Sequence, residues 1–390
     1  MRRPQVVSNH AAGFTIPLRK APDSAYPKAM THPHQDFGAR DRAWVERAIA
    51  RIEADFARSA DTHLLHVPIP RLPDIALYLK DESTHPSGSL KHRLARSLFL
   101  YALCNGWIRS DTVIVEASSG STAVSEAYFA HMLGLRFIAV MPRSTSAEKI
   151  DAIAFHGGEP FFVDTAGEMR TASADLARKV GGHFMDQFTF AERATDWRGN
   201  NNIAQSIFAQ MESEPAPIPA WIVVGAGTGG TSATLARYVR YRRLPTRIAL
   251  ADPERSVFHR HVIDRTITAV EGPSSVVEGI GRPCVEPSFI PELIDRAYAV
   301  GDADSLGAAR ALSRRIGRLC GGSTGTNLIA CVALIREMAA AGQAGSVVTL
   351  LCDSGERYRS RYYDDGWLKG QGLDPTATEA DIDCFFGEGP

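Results

Sequence analysis

Short apolar runs rich in β-branched residues alternate along this chain with stretches whose apolar residues recur every three or four positions. Small polar loops separate the two. Residues 112–116 predict a strand, Ser118 to Thr122 a loop, and Ala123 onward a helix. Residues 136–141 predict a second strand, and 221–224 a third that leads through Gly225 to Thr231 into a helix reaching Tyr238. Residues 247–251 and 347–351 complete the strand set. Leu90, Leu94, Leu98 and Ala102 follow one another at a four-residue spacing, which predicts a helix after the loop of Pro86, Gly88 and their serines. Continuously apolar strands are covered on both faces, so the pattern predicts an α/β fold with mostly parallel sheets. Residues 1–40 are rich in Pro, His and Arg without periodicity and predict an irregular arm; the tail after Asp364 is similar.

Composition narrows the classes. The 390 residues carry 43 basic and 44 acidic side chains, a net charge of −1, with 44% apolar and 22% charged residues. That is ordinary globular composition over two or three domain-sized units, and it argues against coating nucleic acid or an anionic membrane. The basic run of Arg237, Arg240, Arg242, Arg243 and Arg247 reads as a solvated helix face. No apolar run approaches the roughly 18 residues of a membrane helix. Met1-Arg2-Arg3-Pro4 is followed by no apolar stretch, so no secretory signal is expected and a cytoplasmic location is. The six cysteines form no C-x-x-C pair and read as reduced thiols. The twelve histidines form no H-E-x-x-H, and no metal site is expected.

Parallel sheets present their ligand loops at the carboxyl ends of strands, and four loops there carry candidate chemistry. His85-Pro86-Ser87-Gly88-Ser89-Leu90-Lys91 places Lys91 in the first turn of a helix, where the partial positive charge disfavours an ammonium group. A neutral amine is what a Schiff base requires; a solvent-exposed lysine is the plainer alternative. Gly225-Ala226-Gly227-Thr228-Gly229-Gly230-Thr231 lets backbone N–H groups approach an anion at a helix start, a phosphate cradle. It also satisfies G-x-G-x-x-G, with Asp252 ending the next strand, so a nicotinamide dehydrogenase stays open at this point. Glu116-Ala117-Ser118-Ser119-Gly120-Ser121-Thr122 is suited to a carboxylate, and Cys320-Gly321-Gly322-Ser323-Thr324-Gly325-Thr326-Asn327 repeats the pattern; either alone reads better as a plain helix cap. Together the loops suggest one ligand with phosphate, carboxylate and carbonyl ends.

The combination resembles the fold-type II pyridoxal-phosphate enzymes, specifically the cysteine synthase and cystathionine β-synthase family, over roughly residues 60–365. Ser87-Gly88-Ser89-Leu90-Lys91 is similar to that family's Schiff-base lysine motif. Ser118-Ser119-Gly120-Ser121-Thr122 is similar to its substrate-carboxylate loop, and Asp186-Gln187-Phe188 to the motif whose glutamine contacts the same carboxylate. Gly227-Thr228-Gly229-Gly230-Thr231 resembles its phosphate loop. Gly321-Gly322-Ser323-Thr324-Gly325 resembles the segment whose serine faces the pyridine nitrogen, and Asp353-Ser354-Gly355-Glu356-Arg357-Tyr358 its C-terminal motif. Ser121 stands where the family usually has Asn, whose side chain reaches the cofactor's O3′, and His92 where it usually has Asp. The run Glu116 to Ala123 looks most like the branch that includes bacterial L-cysteine desulfhydrases.

The resemblance implies a cofactor, pyridoxal 5′-phosphate, held by Lys91, Ser121, the 227–231 loop and Ser323, with Lys91 as the catalytic base. It implies a substrate carboxylate held by Ser118 to Thr122 and Gln187. It implies a smaller N-terminal α/β domain over 75–190 with the lysine and carboxylate loop, and a larger one over 41–74 plus 191–365 with the phosphate loop. The cofactor would lie in the cleft between them, with 1–40 as arm, 366–390 as tail, and a homodimer as the assembly. The implied reaction is β-elimination on L-cysteine to sulfide, pyruvate and ammonia. β-Replacement, as in cysteine synthase or cystathionine β-synthase, is the alternative. A dehydrogenase or a non-catalytic amino-acid-binding relative stands behind both.

Overall fold

The computed structural model describes residues 38–59, 61–200 and 202–387; the arm expected over 1–40 lies outside them up to residue 37. Ten strands are present among the described residues: β1 (Leu64–Val67), β2 (Ile75–Asp81), β3 (Ile114–Ala117), β4 (Phe137–Pro142), β5 (Glu159–Val163), β6 (His183–Phe184), β7 (Trp221–Gly225), β8 (Arg247–Pro253), β9 (Arg296–Val300) and β10 (Gly345–Leu351). The α-helices are α1 (Ala39–Ala57), α2 (Lys91–Cys104), α3 (Ser121–Leu133), α4 (Ala147–Ala154), α5 (Met169–Val180), α6 (Gln187–Ala194), α7 (Ile203–Met211), α8 (Gly230–Arg242), α9 (Phe258–Ile263), α10 (Asp302–Ile316), α11 (Gly322–Ala340), α12 (Asp365–Gly370) and α13 (Thr376–Phe385).

The strands form two sheets, one in the order β1-β2-β10-β7-β8-β9 and one in the order β5-β4-β3-β6. Every pairing is parallel except β1 with β2. The central strands β3, β4, β7, β8 and β10 are covered on both faces, which is why they read as continuous apolar runs, whereas the edge strand β5 is largely exposed. Val347 and Leu351 of β10 pack with Leu77, Leu79, Leu328 and Ile335 on one face, while Val348 and Leu350 pack with Tyr78, Ile207 and Leu235 on the other. In the smaller sheet, Ile114 and Ala139 join Leu98, Phe99 and Phe129 on one face, and Val115 and Val140 join Ala177 on the other.

Two expectations change. Strand β2 belongs to the six-stranded sheet, in parallel register with β10 from Ile75↔Gly345 to Asp81↔Leu351, not to a unit beginning at residue 75. Conversely α1, placed with the larger unit, buries Val45, Ala48 and Ile52 in the apolar cluster of the smaller sheet. The chain crosses between sheets after α1 and again after β2, so no single boundary near residue 75 separates the two. The tail is also helical. Gly370, Gly372, Asp374 and Pro375 stand at or between the ends of α12 and α13, Asp364 accepts the Trp367 amide at 2.6 Å at the start of α12, and α13 buries Ile382 and Phe385 in the main core. No helix among the described residues is long and apolar enough to cross a membrane.

Candidate active site

Three of the four loops singled out by sequence stand at the carboxyl ends of β2, β3 and β7; the fourth, expected at a strand end too, follows α10 instead and leads into α11, with Cys320 bridging Ser354 just past β10. After β2 the chain turns through Gly88, whose φ is +75°, and α2 starts at Lys91 itself. The loop is anchored to the end of β10: the Leu90 amide donates to the Cys352 carbonyl at 2.8 Å, and Ser89 bridges Asp353. On its other side the Ser87 hydroxyl lies 2.8 Å from that of Ser125 and 3.0 Å from His92 Nδ1. Burial, with the Arg282 guanidinium adding to it, pushes the Lys91 amine below its ordinary value against the opposing Cys352 and Glu116. A neutral amine was expected from the helix dipole; here burial is the leading cause.

Two residues beyond Lys91, Arg93 joins a buried ionic cluster that ties α2 to Lys80 of β2, to Glu82 just after it and to Asp61 and Thr62 ahead of β1. Arg93 Nε donates to Glu82 at 2.6 Å and Nη2 to Asp61 at 2.8 Å. Lys80 Nζ lies 3.6 Å from Asp61 and donates to the Thr62 carbonyl at 2.7 Å.

The loop after β7 must be glycine for packing as well as for ligand approach. A Cβ on Gly227 would stand 2.3 Å from the Gly279 carbonyl oxygen, and one on Gly229, whose φ is +88°, 2.5 Å from Phe289 Cα. Helix α8 begins at Gly230, whose amide faces Thr228 Oγ1 at 3.3 Å. Lys91, Thr228, Gly230 and Thr231 line one cavity of about 380 Å³, which brings the lysine and the glycine loop to the same space. Ser118 to Thr122, Gln187 and Ser323 are not part of that lining.

The third loop assembles its own pair. The Thr122 hydroxyl donates to Gln187 Oε1 at 2.8 Å, joining the start of α3 to the start of α6. The Gln187 amide donates to Glu116 Oε2 at 3.2 Å, and the preceding Asp186 turns the chain with φ +45°. Ser118 Oγ accepts from the Gly120 amide at 3.2 Å, while Ser119 lies half-buried beside it. Ser121 is engaged from across the site, its hydroxyl accepting from Arg357 Nη1 at 2.7 Å. Ser323 is buried in the first turn of α11, with its hydroxyl beside the Cys352 thiol. Burial pushes that thiol up to about 12. Asp353, pushed up to about 6 by burial, accepts from the Tyr358 hydroxyl at 2.7 Å.

A family model described as pyridoxal-phosphate dependent enzyme matches residues 60–353. The chain belongs to that family. L-cysteine desulfhydrase Cds1 of Mycobacterium tuberculosis (strain ATCC 25177 / H37Ra) is 58% identical over 343 residues, 87% of this chain and 93% of that protein. Cysteine synthase of Dictyostelium discoideum is 29% identical over 305 residues, covering 75% of this chain and 79% of that one. The crystal structure of O-ureido-L-serine synthase superposes with a TM-score of 0.68 at 25% identity, covering 79% of this chain and 96% of that one.

A pyridoxal-phosphate enzyme needs a neutral lysine amine, a phosphate cradle and a partner for the ring nitrogen. The buried Lys91, the glycines that no larger residue could replace and the Ser323 hydroxyl fit these needs. The dehydrogenase alternative falls. Its candidate acid, Asp252, is buried and accepts from the His259 amide at 2.8 Å and from His259 Nδ1 at 2.9 Å, capping α9. Among the described residues no group of His, Cys, Asp and Glu is arranged to hold a metal ion. Four residues to which sequence reasoning gave no role of their own stand in or against the site: Cys352, which reads as a core thiol beside Leu351, and Glu116, Asp353 and Arg357, which were quoted only as members of their motifs. Position at a strand's carboxyl end was the available signal for Glu116 and Cys352.

Proposed function

We propose that the protein is a pyridoxal-phosphate-dependent carbon–sulfur lyase that converts L-cysteine and water to hydrogen sulfide, pyruvate and ammonia. The observation that carries this reading is the 58% identity to an L-cysteine desulfhydrase over 87% of this chain. The more distant synthase relatives are about half as similar.

The chain's own residues divide the work. Backbone amides of the 227–231 loop, with the Thr228 and Thr231 hydroxyls, hold the phosphate at the start of α8. Ser118, Ser119, Gly120, Ser121 and Thr122 hold the amino acid's carboxylate with Gln187. When bound, pyridoxal phosphate would supply the electron sink that lets the amino acid give up its Cα proton. Lys91 Nζ anchors the cofactor at rest and takes that proton as general base, a role open to it because burial favours the neutral amine. Ser323 sets the ring nitrogen. A hydroxyl there, unlike a carboxylate, does not hold a proton on the ring, which suits loss of a β-substituent over chemistry needing a long-lived carbanion.

The reading places the cofactor between the two sheets and carries with it a homodimer in the cytoplasm. Family resemblance supports the dimer, and the six free cysteines support a reducing compartment. Purified, cofactor-loaded protein is expected to release pyruvate and sulfide from L-cysteine alone, and Lys91→Ala to lose both this activity and the visible absorbance of the bound cofactor. Turnover only when a second nucleophile is added would replace the lyase with a β-replacing synthase. Unchanged absorbance in Lys91→Ala would remove the lysine assignment.

A further inference from the structure

Directly behind Thr122 and Gln187 lie two carboxyl groups that the reaction above does not use. Glu116, on β3, and Glu126, on α3 one turn beyond Thr122, are both 0% exposed. Glu116 is well supplied with donors: Oε1 accepts from the Ala117 amide at 2.7 Å and Oε2 from the Gln187 amide at 3.2 Å. Neither oxygen of Glu126 has a donor. The polar group it meets is the Glu116 carboxyl, at hydrogen-bonding range. Two carboxylates are acceptors only and cannot bond each other, but one proton turns the contact into an O–H···O hydrogen bond. The donors decide where that proton rests. Glu116, receiving two N–H bonds, is suited to the anion, and Glu126, receiving none, keeps the proton.

The surroundings agree. Burial raises both carboxyls above the ordinary range. The Asp186 charge adds to this at Glu116, while the Gln187 and Ala117 amides oppose it. Asp186 faces the pair from the cap of α6 and is tied to Arg170 of α5 at 3.0 Å. Lys91 faces Glu116 from α2. From β4, Ala139 stands in register with Glu116; on β6, His183 stands two residues along that face and packs on Trp107. Helices α1 and α4 join α3 through the apolar cluster holding Ile52 and Ile153.

We propose that Glu126 is a positioning residue: it donates a retained proton to Glu116 and so sets Gln187, and through it Thr122, to receive the α-carboxylate of the amino acid. The inference rests on the reading of Thr122 and Gln187 as carboxylate ligands. Loss of the proton in alkaline solution puts a second buried negative charge behind that site, which repels the substrate carboxylate and releases the Gln187 amide. Glu126→Gln replaces the acid by a permanent N–H donor of the same shape. Glu126→Leu removes the donor.

The test combines infrared difference spectra of cofactor-loaded wild type and E126Q with steady-state kinetics on L-cysteine. Wild type is expected to show a protonated-carboxyl stretch at neutral pH that E126Q lacks. E126L is expected to raise KM about tenfold, the size of one lost hydrogen bond to a charged group, with kcat within about threefold. E126Q is expected to keep KM within about twofold of wild type, since its amide replaces that one bond, and to flatten the alkaline rise of KM. Absence of the carboxyl band, or an E126Q that behaves like E126L, overturns the inference while leaving the carboxylate site standing. If Gln187→Ala also leaves KM unchanged, the carboxylate site itself is misassigned and the positioning role falls with it.

Discussion

Glu82→Gln tests whether the ionic cluster behind Lys91 holds the start of α2 in place. Glu82 is 0% exposed, and its two oxygens accept from Arg93 Nε at 2.6 Å, Arg93 Nη2 at 3.0 Å and the Thr62 hydroxyl at 2.7 Å. His85 Nε2 lies 2.8 Å away on the remaining side. Arg93 and Lys80 are balanced by Glu82 and Asp61, so the amide leaves one buried positive charge in excess. Breaking a buried pair from one side costs about 3–5 kcal/mol. Asp61 remains beside Arg93, which favours the lower end, about 3 kcal/mol. For about 350 ordered residues at about 2.1 cal/mol/K each, the unfolding entropy is about 0.7 kcal/mol/K, so the expected loss is about 4 °C in Tm. The acid dependence is specific. Burial raises the Glu82 carboxyl, but Arg93 and His85 outweigh it and hold the group well below the usual carboxylate range. A depressed folded value means that the stabilisation is present above the ordinary carboxylate pKa and is lost as pH falls through the folded value. The gap between wild type and E82Q is therefore constant from pH 7 down to about 5 and narrows below it. Circular dichroism melts at matched cofactor saturation read both quantities. A gap under about 1 °C at pH 7, or one that widens in acid, would refute the cluster's role.

Two further substitutions probe the glycine loop and the tail. Gly229→Ala combines a φ of +88° with a Cβ placed 2.5 Å from Phe289 Cα and 2.7 Å from the Ser288 carbonyl, all backbone atoms that cannot yield cheaply. The expected cost is at least about 2 kcal/mol, with loss of pyridoxal phosphate on dialysis, and full retention would contradict the cradle assignment. Ile382→Ala removes a fully buried side chain of α13 from the main core. It is expected to cost about 2–5 kcal/mol, measured by urea unfolding, whereas a loosely attached tail would lose almost nothing.

Much of the fold is legible in the apolar pattern because strands buried on both faces read as unbroken runs. The predicted strand at 347–351 became Gly345–Leu351, and that at 247–251 became Arg247–Pro253. β2 was harder to place, since a buried Tyr78 and Lys80 interrupt its run, and both are satisfied by partners far away in sequence. Tyr78 donates to Glu214 at 2.7 Å and Lys80 to Gln210 at 2.7 Å. α13 was hidden because only a few of its residues face the core and helix breakers flank it. At the site, glycines and hydroxyls clustered in sequence could be read directly. Glu126 could not, nor could the pairing of Arg357 with Ser121, because what makes them notable is the chemistry of residues that the fold brings beside them.

The placement of β2 changes how the site is held. Lys91 sits on a helix whose apolar face, through Leu98 and Phe99, belongs to the smaller sheet. Its loop is nonetheless tied to the larger one through Leu90 to Cys352 and Ser89 to Asp353. Of the residues proposed to touch the cofactor, Lys91, the 227–231 loop and Ser323 are thus fastened to the six-stranded sheet at the ends of β2, β7 and β10, and Ser121 alone stands on the other sheet. Those proposed to hold the substrate carboxylate, Ser118 to Thr122 and Gln187, stand on the four-stranded sheet at the ends of β3 and β6. Cofactor geometry can then stay fixed while the substrate side adjusts, provided something joins the halves. Arg357 does so. Rooted in the turn after β10, it donates to the Ser121 hydroxyl at 2.7 Å. A serine there gives up the reach of the family's asparagine. The guanidinium meets its shorter side chain from the other side of the site, so Ser121 and Arg357 act as one unit of two lengths, and substitutions at either are expected to be non-additive.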